Sequence, residues 1–281
     1  MGVGVSGEWK GGGRMGWVTE SVGARLFAVL RTFTHRTPVQ TLSEISRRAE
    51  LPLTTTHRLV HELLRGGALE KDEDGRYRIG LGLWEIAALA PRGLGLRESA
   101  MPFLEDVFEA TRQHAQLAVL DGGEAVFLER ISGRKAVHVF TRVGGRLPLH
   151  ATGVGLVLLA HADHELQESV ITGPLKRFTS HTIAEGEPLR RKLADIRRDG
   201  YVISDRALEE ISVSIAAPVH GADDTVTAAI STVVPYGEQD PLTLVPLVKA
   251  AARGISRVLG APSATGLPKS VRRTSAPWRS D

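Results

Sequence analysis

The sequence predicts an α+β chain: a small helical unit closed by a β-hairpin, then a larger unit in which helices stand apart from an antiparallel sheet. Three observations predict it. Residues 41–80 carry two short helical patterns joined at Leu51-Pro52 and followed by a hairpin around Asp74-Gly75. Pro91, Gly93 and Gly95 interrupt the pattern before a second, longer part begins. In that part short apolar strands follow one another through short turns, with helical periodicities between the groups. A length of 281 residues accommodates about two domains.

Taken in order, residues 1–19 are Gly-rich and are expected to form a disordered leader. MGVGVSG at 1–7 has the outline of a myristoylation start and of a dinucleotide loop, without the strand and helix that either context needs. Met15 offers a second possible start. From residue 20, Val22, Leu26, Val29, Leu30 and Phe33 recur at helical spacing until His35-Arg36-Thr37-Pro38 breaks it. Thr41-Leu42-Ser43-Glu44 is a capping box opening a helix that ends near Ala49. A second helix runs from about Thr54 to Arg65, where Gly66-Gly67 stops it. Residues 68–71 and 76–79 pair as a hairpin. Residues 20–80 therefore predict a winged helix-turn-helix, and 81–96 a linker helix.

From Arg97 a helix carries Met101, Leu104, Val107, Phe108 and Thr111 on one side. Strands are predicted at 116–120, 125–131, 136–140, 201–204, 212–219 and 225–234, and helices at 153–160, 188–199 and 241–259. The second domain spans 97–259. The Pro-, Ser- and Arg-containing tail at 260–281 is expected to be disordered.

Composition narrows the function classes. Hydrophobic residues make up 42% and charged residues 24%, as in a globular chain. There is no cysteine, hence no disulfide and no thiolate metal site, which suits a reducing cytoplasm. No apolar run reaches about 18 residues, so no membrane-spanning helix is predicted. A cytoplasmic protein without a membrane partner is expected. Net charge is only +3, but residues 20–80 hold 10 basic against 8 acidic side chains, while 81–259 hold 19 against 22. A basic N-terminal third permits contact with nucleic acid.

The helix over 54–65 sharpens that. With His57 at zero and about 100° per residue, Thr56, Leu59, Val60 and Leu63 fall between roughly 200° and 300°. Thr54, His57, Arg58, His61 and Arg65 fall between roughly 0° and 100°. Only Leu64 fits poorly. The outer sector is all hydrogen-bond formers with no acid, since Glu62 lies outside it. Thr54 and Thr55, with the first-turn amides, suit phosphate oxygens, and Arg58 suits a guanine edge. On the hairpin, Arg76 and Arg78 share one face by period two, with Tyr77 and Ile79 toward the core. Two arginines there fit a wing against a DNA backbone or minor groove. Asp72, Glu73 and Asp74 at the same turn also fit a merely solvated hairpin.

Residues 41–80, TLSEISRRAELPLTTTHRLVHELLRGGALEKDEDGRYRIG, closely resemble the N-terminal domain of the IclR family of bacterial regulators. The resemblance continues through AMPFLE (100–105), GRLPLHATGVG (145–155), KRFTSHT (176–182), RRDGYVISD (197–205) and SIAAPV (214–219), in the family's order over about residues 20–258. It implies a GAF/PAS-like effector-binding domain, a small organic effector, often a carboxylic acid or aromatic metabolite, and dimers or dimers of dimers joined through the DNA-binding domains and linker helix. Most members repress. Matching motifs place Gly153, Val154, Ser204, Asp205, Ser214 and Ser231 near the effector. Ser214 and Ser231 suit a carboxylate, whereas Asp205 opposes one unless protonated or turned away. Gly155-Leu156-Val157 stands where members commonly have Gly-Lys-Ala, and Ala207 and Ile211 stand where Glu and Gly are common.

Two other classes compete. An enzyme would need a constellation that the sequence lacks: His161 and His164 are three apart without a third ligand at motif spacing, no G-x-S-x-G elbow or Walker loop occurs, and His150 has no activated nucleophile beside it. No cofactor is called for. A ligand-sensing protein–protein module without DNA binding is the other alternative. The expected function is a sequence-specific DNA-binding regulator, more often of the repressing kind, whose partners are double-stranded operator DNA and a small effector.

Overall fold

A computed structural model of the chain describes residues 21–34, 36–90 and 94–265. The predicted leader at 1–19, the break residues Pro91 and Gly93, and the tail beyond 265 lie outside the described residues. The chain forms two compact units that divide at Leu94 and Gly95, and the α+β class is the one observed.

In the first unit, α1 (Val22–Arg31) starts at Ser21, whose Oγ accepts the Ala24 amide at 3.1 Å. A two-residue strand, β1 (Val39–Gln40), precedes α2 (Leu42–Ala49). The predicted capping box is present: the Glu44 amide donates to Thr41 Oγ1 and the Thr41 amide to Glu44 Oε2, at 3.3 and 2.8 Å. Next come α3 (Leu53–Arg65), β2 (Leu69–Lys71), β3 (Tyr77–Ile79) and α4 (Leu81–Ala87). The strands form an antiparallel sheet in the order β1-β3-β2. Gly75 takes φ +79° at the hairpin turn, where a Cβ would be strained.

Val29, Ile45, Leu59, Val60, Leu63 and Tyr77 bury together as this unit's core. Leu59 is fully buried in it. Leu59→Ala is expected to cost about 2–5 kcal/mol of this unit's stability, by lost transfer energy plus a cavity. A shift of less than about 1 kcal/mol in chemical denaturation would show that the site closes up instead.

Two expectations about this unit need correction. β1 was not foreseen, because two residues after a proline carry no periodicity. Ile79 was assigned to the core but is 41% exposed. It stands opposite Leu69 on the core side of the sheet, where it stays partly open to solvent.

The second unit is built on an antiparallel six-stranded sheet in the order β6-β5-β4-β9-β8-β7. It begins in α5 (Leu94–Thr111), three residues earlier than predicted. The strands are β4 (His114–Asp121), β5 (Glu124–Ile131), β6 (Arg146–Pro148), β7 (Val202–Asp205), β8 (Ser212–His220) and β9 (Val226–Pro235). The helices are α6 (Gly153–Ala160), α7 (His164–Thr172), α8 (Gly186–Asp199) and α9 (Val245–Val258), the last after a 3-10 turn at Pro241–Leu244. Period two sorts the strands between two cores. Val213, Ile215, Ala217 and Val219 of β8 join residues of α5 and α9, whereas Ala216 joins α6 and α8 on the opposite face.

The structure departs from the sequence reading here. Residues 136–140 form no strand. Side chains hold their backbone instead: the Val137 amide donates to Gln113 Oε1 at 2.9 Å and the Phe140 amide to Glu209 Oε1 at 2.7 Å. β6 takes the edge position beside β5. α7 was missed because its sequence is largely polar. The tail does not begin at 260, since Pro262–Thr265 forms a short α10, and Ser263 donates from its amide and hydroxyl to Asp224 at 3.1 and 2.6 Å.

Candidate functional site

α3 presents the face that its periodicity predicts. Thr56, Leu59, Val60 and Leu63 are buried, while Thr54, His57, Arg58, His61 and Arg65 are exposed and Thr55 is half-buried. Thr56 turns inward and donates its hydroxyl to the Pro52 carbonyl at 3.1 Å. No side chain caps the start of α3, which leaves its first-turn amides available to an anion. The His57 and His61 rings stack at 6.5 Å between centroids. Glu62 approaches Arg65 at 3.9 Å, a solvent-screened pair of little strength. Among the described residues no carboxylate stands within ion-pair distance of Arg58.

The hairpin is different. Arg76 pairs with Asp72 at 3.1 Å and with Asp74 at 2.8 Å, and Arg78 pairs with Glu70 at 3.0 Å. The Leu81 amide and the Arg78 guanidinium hold the Glu70 carboxyl below its ordinary range. The Arg76 amide, followed by the Arg76 charge, does the same for Asp72. Both arginines are therefore balanced by acids within the hairpin, a geometry that the acidic turn residues foreshadow.

In the second unit a partly open pocket holds about 410 Å³ of space, with open solvent at its mouth counted in. Gly153, Val154, Ser204 and Ser214 line it. Asp205 and Ser231 do not. Asp205 is exposed and pairs with Arg206 at 3.0 Å, and Ser231 is fully buried behind the wall, near Gln116. Adjacent strand residues point to opposite faces, so Ser204 and Asp205 could not both have faced the cavity.

Residues that sequence reasoning missed supply the rest. Gln116, 2% exposed, donates to Thr141 Oγ1 at 2.6 Å. Phe127, Val139, Leu208 and Val233 give apolar walls. Glu209 contributes a carboxyl that accepts the Phe140 amide at 2.7 Å and the Ser212 hydroxyl at 3.2 Å. Burial pushes its pKa up, against the lowering effect of those two donors and of His138 and Arg130.

The start of α6 forms one end of the cavity. Thr152 caps it by accepting the Gly155 amide at 3.1 Å. Gly153 is required by close approach: a Cβ there would lie 2.6 Å from Ser214 Oγ. The helix thus brings the backbone of Gly153 and Val154 against β8, with the positive end of its dipole toward the cavity.

His150 and His161 serve structure. His150 is buried and bonds the Lys176 carbonyl at 2.9 Å, with burial lowering its pKa. It does not line the cavity. His161 Nδ1 bonds the Val157 carbonyl at 2.9 Å and His164 opens α7. Among the described residues no group of three or more His, Cys, Asp or Glu is arranged to hold a metal ion. No described helix is long and apolar enough to cross a membrane.

Comparison with known proteins adds an independent line. Residues 24–73 match the family model of the IclR helix-turn-helix domain. Residues 89–257 match that of the bacterial transcriptional regulator IclR C-terminal domain. An IclR homolog from Microbacterium hydrocarbonoxydans, crystallised in complex with 4-hydroxybenzoate, is similar at 43% identity and TM-score 0.81, covering 85% of this chain and 99% of that one. The HTH-type transcriptional regulator KipR of Bacillus subtilis (strain 168) is 32% identical over 237 residues, 83% of this chain and 94% of its own. The HTH-type transcriptional repressor AllR of Escherichia coli (strain K12) is 30% identical over 225 residues, 78% and 83% respectively. KipR and AllR are both named as transcriptional regulators.

Proposed function

The chain belongs to the IclR family of bacterial transcriptional regulators, and from that premise we propose that it is a cytoplasmic repressor whose operator affinity is set by a small aromatic carboxylic acid. The observation that carries the DNA half is the acid-free outer face of α3. In this reading α3 enters the major groove, Thr54, Thr55 and the uncapped amides take phosphate oxygens, and His57, Arg58, His61 and Arg65 reach base edges and backbone. Leu81, Trp84, Ile86 and Leu89, on and just beyond α4, are 57–81% exposed. So much uncovered apolar surface supports a homodimer or dimer of dimers, with two copies of α3 about 34 Å apart on a two-fold operator. Fluorescence anisotropy against the DNA flanking the chain's own gene tests the reading; binding no tighter than to random duplex would overturn it.

Arg76 and Arg78 supply the wing by trading their carboxylate partners for phosphates. Arg76→Ala is expected to weaken binding to every sequence alike and to make the log Kd against log salt slope shallower by about one unit. A slope equal to wild type would mean that the wing stays off the DNA.

The effector half rests on the cavity. The amides of Gly153 and Val154 and the Ser214 hydroxyl suit a carboxylate, and Phe127, Val139 and Val233 suit a ring. The relative holding 4-hydroxybenzoate supports this class.

A further inference from the structure

The cavity wall is polar at two places of opposite character. Where α6 begins, it offers donors: the first amides of the helix and the Ser214 hydroxyl. At the loop between β7 and β8 it offers an acceptor, the carboxyl of Glu209. Two neighbours already donate to that carboxyl, one from the segment over the cavity (Phe140) and one from β8 (Ser212). A carboxylate has about four lone-pair directions, so capacity remains.

The two places adjoin different residues of β8. Gly153 packs against Ser214, whereas Glu209 hydrogen-bonds Ser212. Ser212 and Ser214 lie on one face of the strand, two residues or about 6.8 Å apart. A benzene ring substituted at positions 1 and 4 carries its polar groups at opposite ends, the arrangement that two separated places require. Val139, Leu208 and Phe127 supply the apolar wall between.

We propose that Glu209 is the specificity-determining residue of the cavity, accepting a hydrogen bond from a phenolic hydroxyl or amino group para to the effector's carboxylate and excluding acids that lack such a donor or carry a second anion. This rests on the reading of the cavity as the effector site. An effector without the donor forgoes that hydrogen bond to the half-buried carboxyl, and a diacid sets a second negative charge against the carboxylate.

The test is calorimetric titration of the full chain with four probes: 4-hydroxybenzoate, 4-fluorobenzoate, benzoate and terephthalate. Wild type is expected to bind 4-hydroxybenzoate roughly 10- to 100-fold more tightly than benzoate or 4-fluorobenzoate, and terephthalate not measurably. In Glu209→Gln the hydroxyl preference is expected to fall to within about 3-fold and terephthalate to gain measurable binding, because the amide can donate to a carboxylate. A residue that only holds the loop would weaken all four probes together without reordering them. Unchanged ratios in Glu209→Gln overturn the proposal, and so does a wild type indifferent to the hydroxyl, a result that needs no folded variant. Silence from every probe removes the aromatic-acid reading and this inference with it; binding without hydroxyl preference removes the inference alone.

Discussion

Arg58→Ala is expected to abolish sequence-specific operator binding while leaving the melting temperature unchanged. The side chain is exposed on α3 and has no ion-pair partner among the described residues, so its loss opens no cavity and orphans no charge. A bidentate arginine–guanine contact discriminates by about 1–3 kcal/mol. With two copies of α3 on two half-sites, operator Kd is expected to rise on the order of 100-fold or more, whereas affinity for random duplex changes far less. Anisotropy with operator and scrambled DNA at one fixed salt concentration separates the two. Wild-type affinity together with wild-type sequence preference would remove Arg58 from base reading.

The second large effect is expected from Ser214→Trp. Ser214 stands where Gly153 comes closest to β8, and an indole there can occupy only the cavity or the backbone of α6. Overpacking of this kind typically costs about 1–3 kcal/mol, which the cavity's empty space moderates. Loss of effector response is the larger consequence. A ligand present at 100 times its Kd stabilises the native state by about 2.7 kcal/mol, and that increment should vanish from the thermal shift with 4-hydroxybenzoate. Operator affinity should likewise stop responding to the acid. A full response in the variant would mean that the effector sits elsewhere.

How far the sequence spoke depended on whether the signal was local. The capping box at Thr41 and Glu44, the inward stripe of α3 and the turn at Gly75 are decided by residues within about four positions of one another, and each was legible. The segment 136–140 looked like a strand by composition, but Gln113 and Glu209, respectively 24 and 69 residues from the amides they hold, decide its backbone. Ile79 has the right parity for the core, yet parity alone does not close it off from solvent.

The cavity divides the same way. Gly153, Val154, Ser204 and Ser214 came from motifs and do line it, whereas Asp205 fails on strand parity alone. Gln116 and Glu209 resemble any polar residue in the sequence. Their burial follows from strand order and from a loop folding over, and no periodicity encodes either.

All eight residues of α6 are buried, including the Gly153 and Val154 positions that border the cavity. A helix enclosed on every side has no solvent-facing flank along which to tilt or fray. A push at its first turn is therefore transmitted as motion of a stiff rod, about 12 Å long by helical rise. Its far end is His161, whose ring meets that of His220 edge-on at 6.4 Å. Filling the cavity is therefore expected to shift the ring resonances of that histidine pair, and resonances unchanged on saturation with 4-hydroxybenzoate would show that the helix stays put.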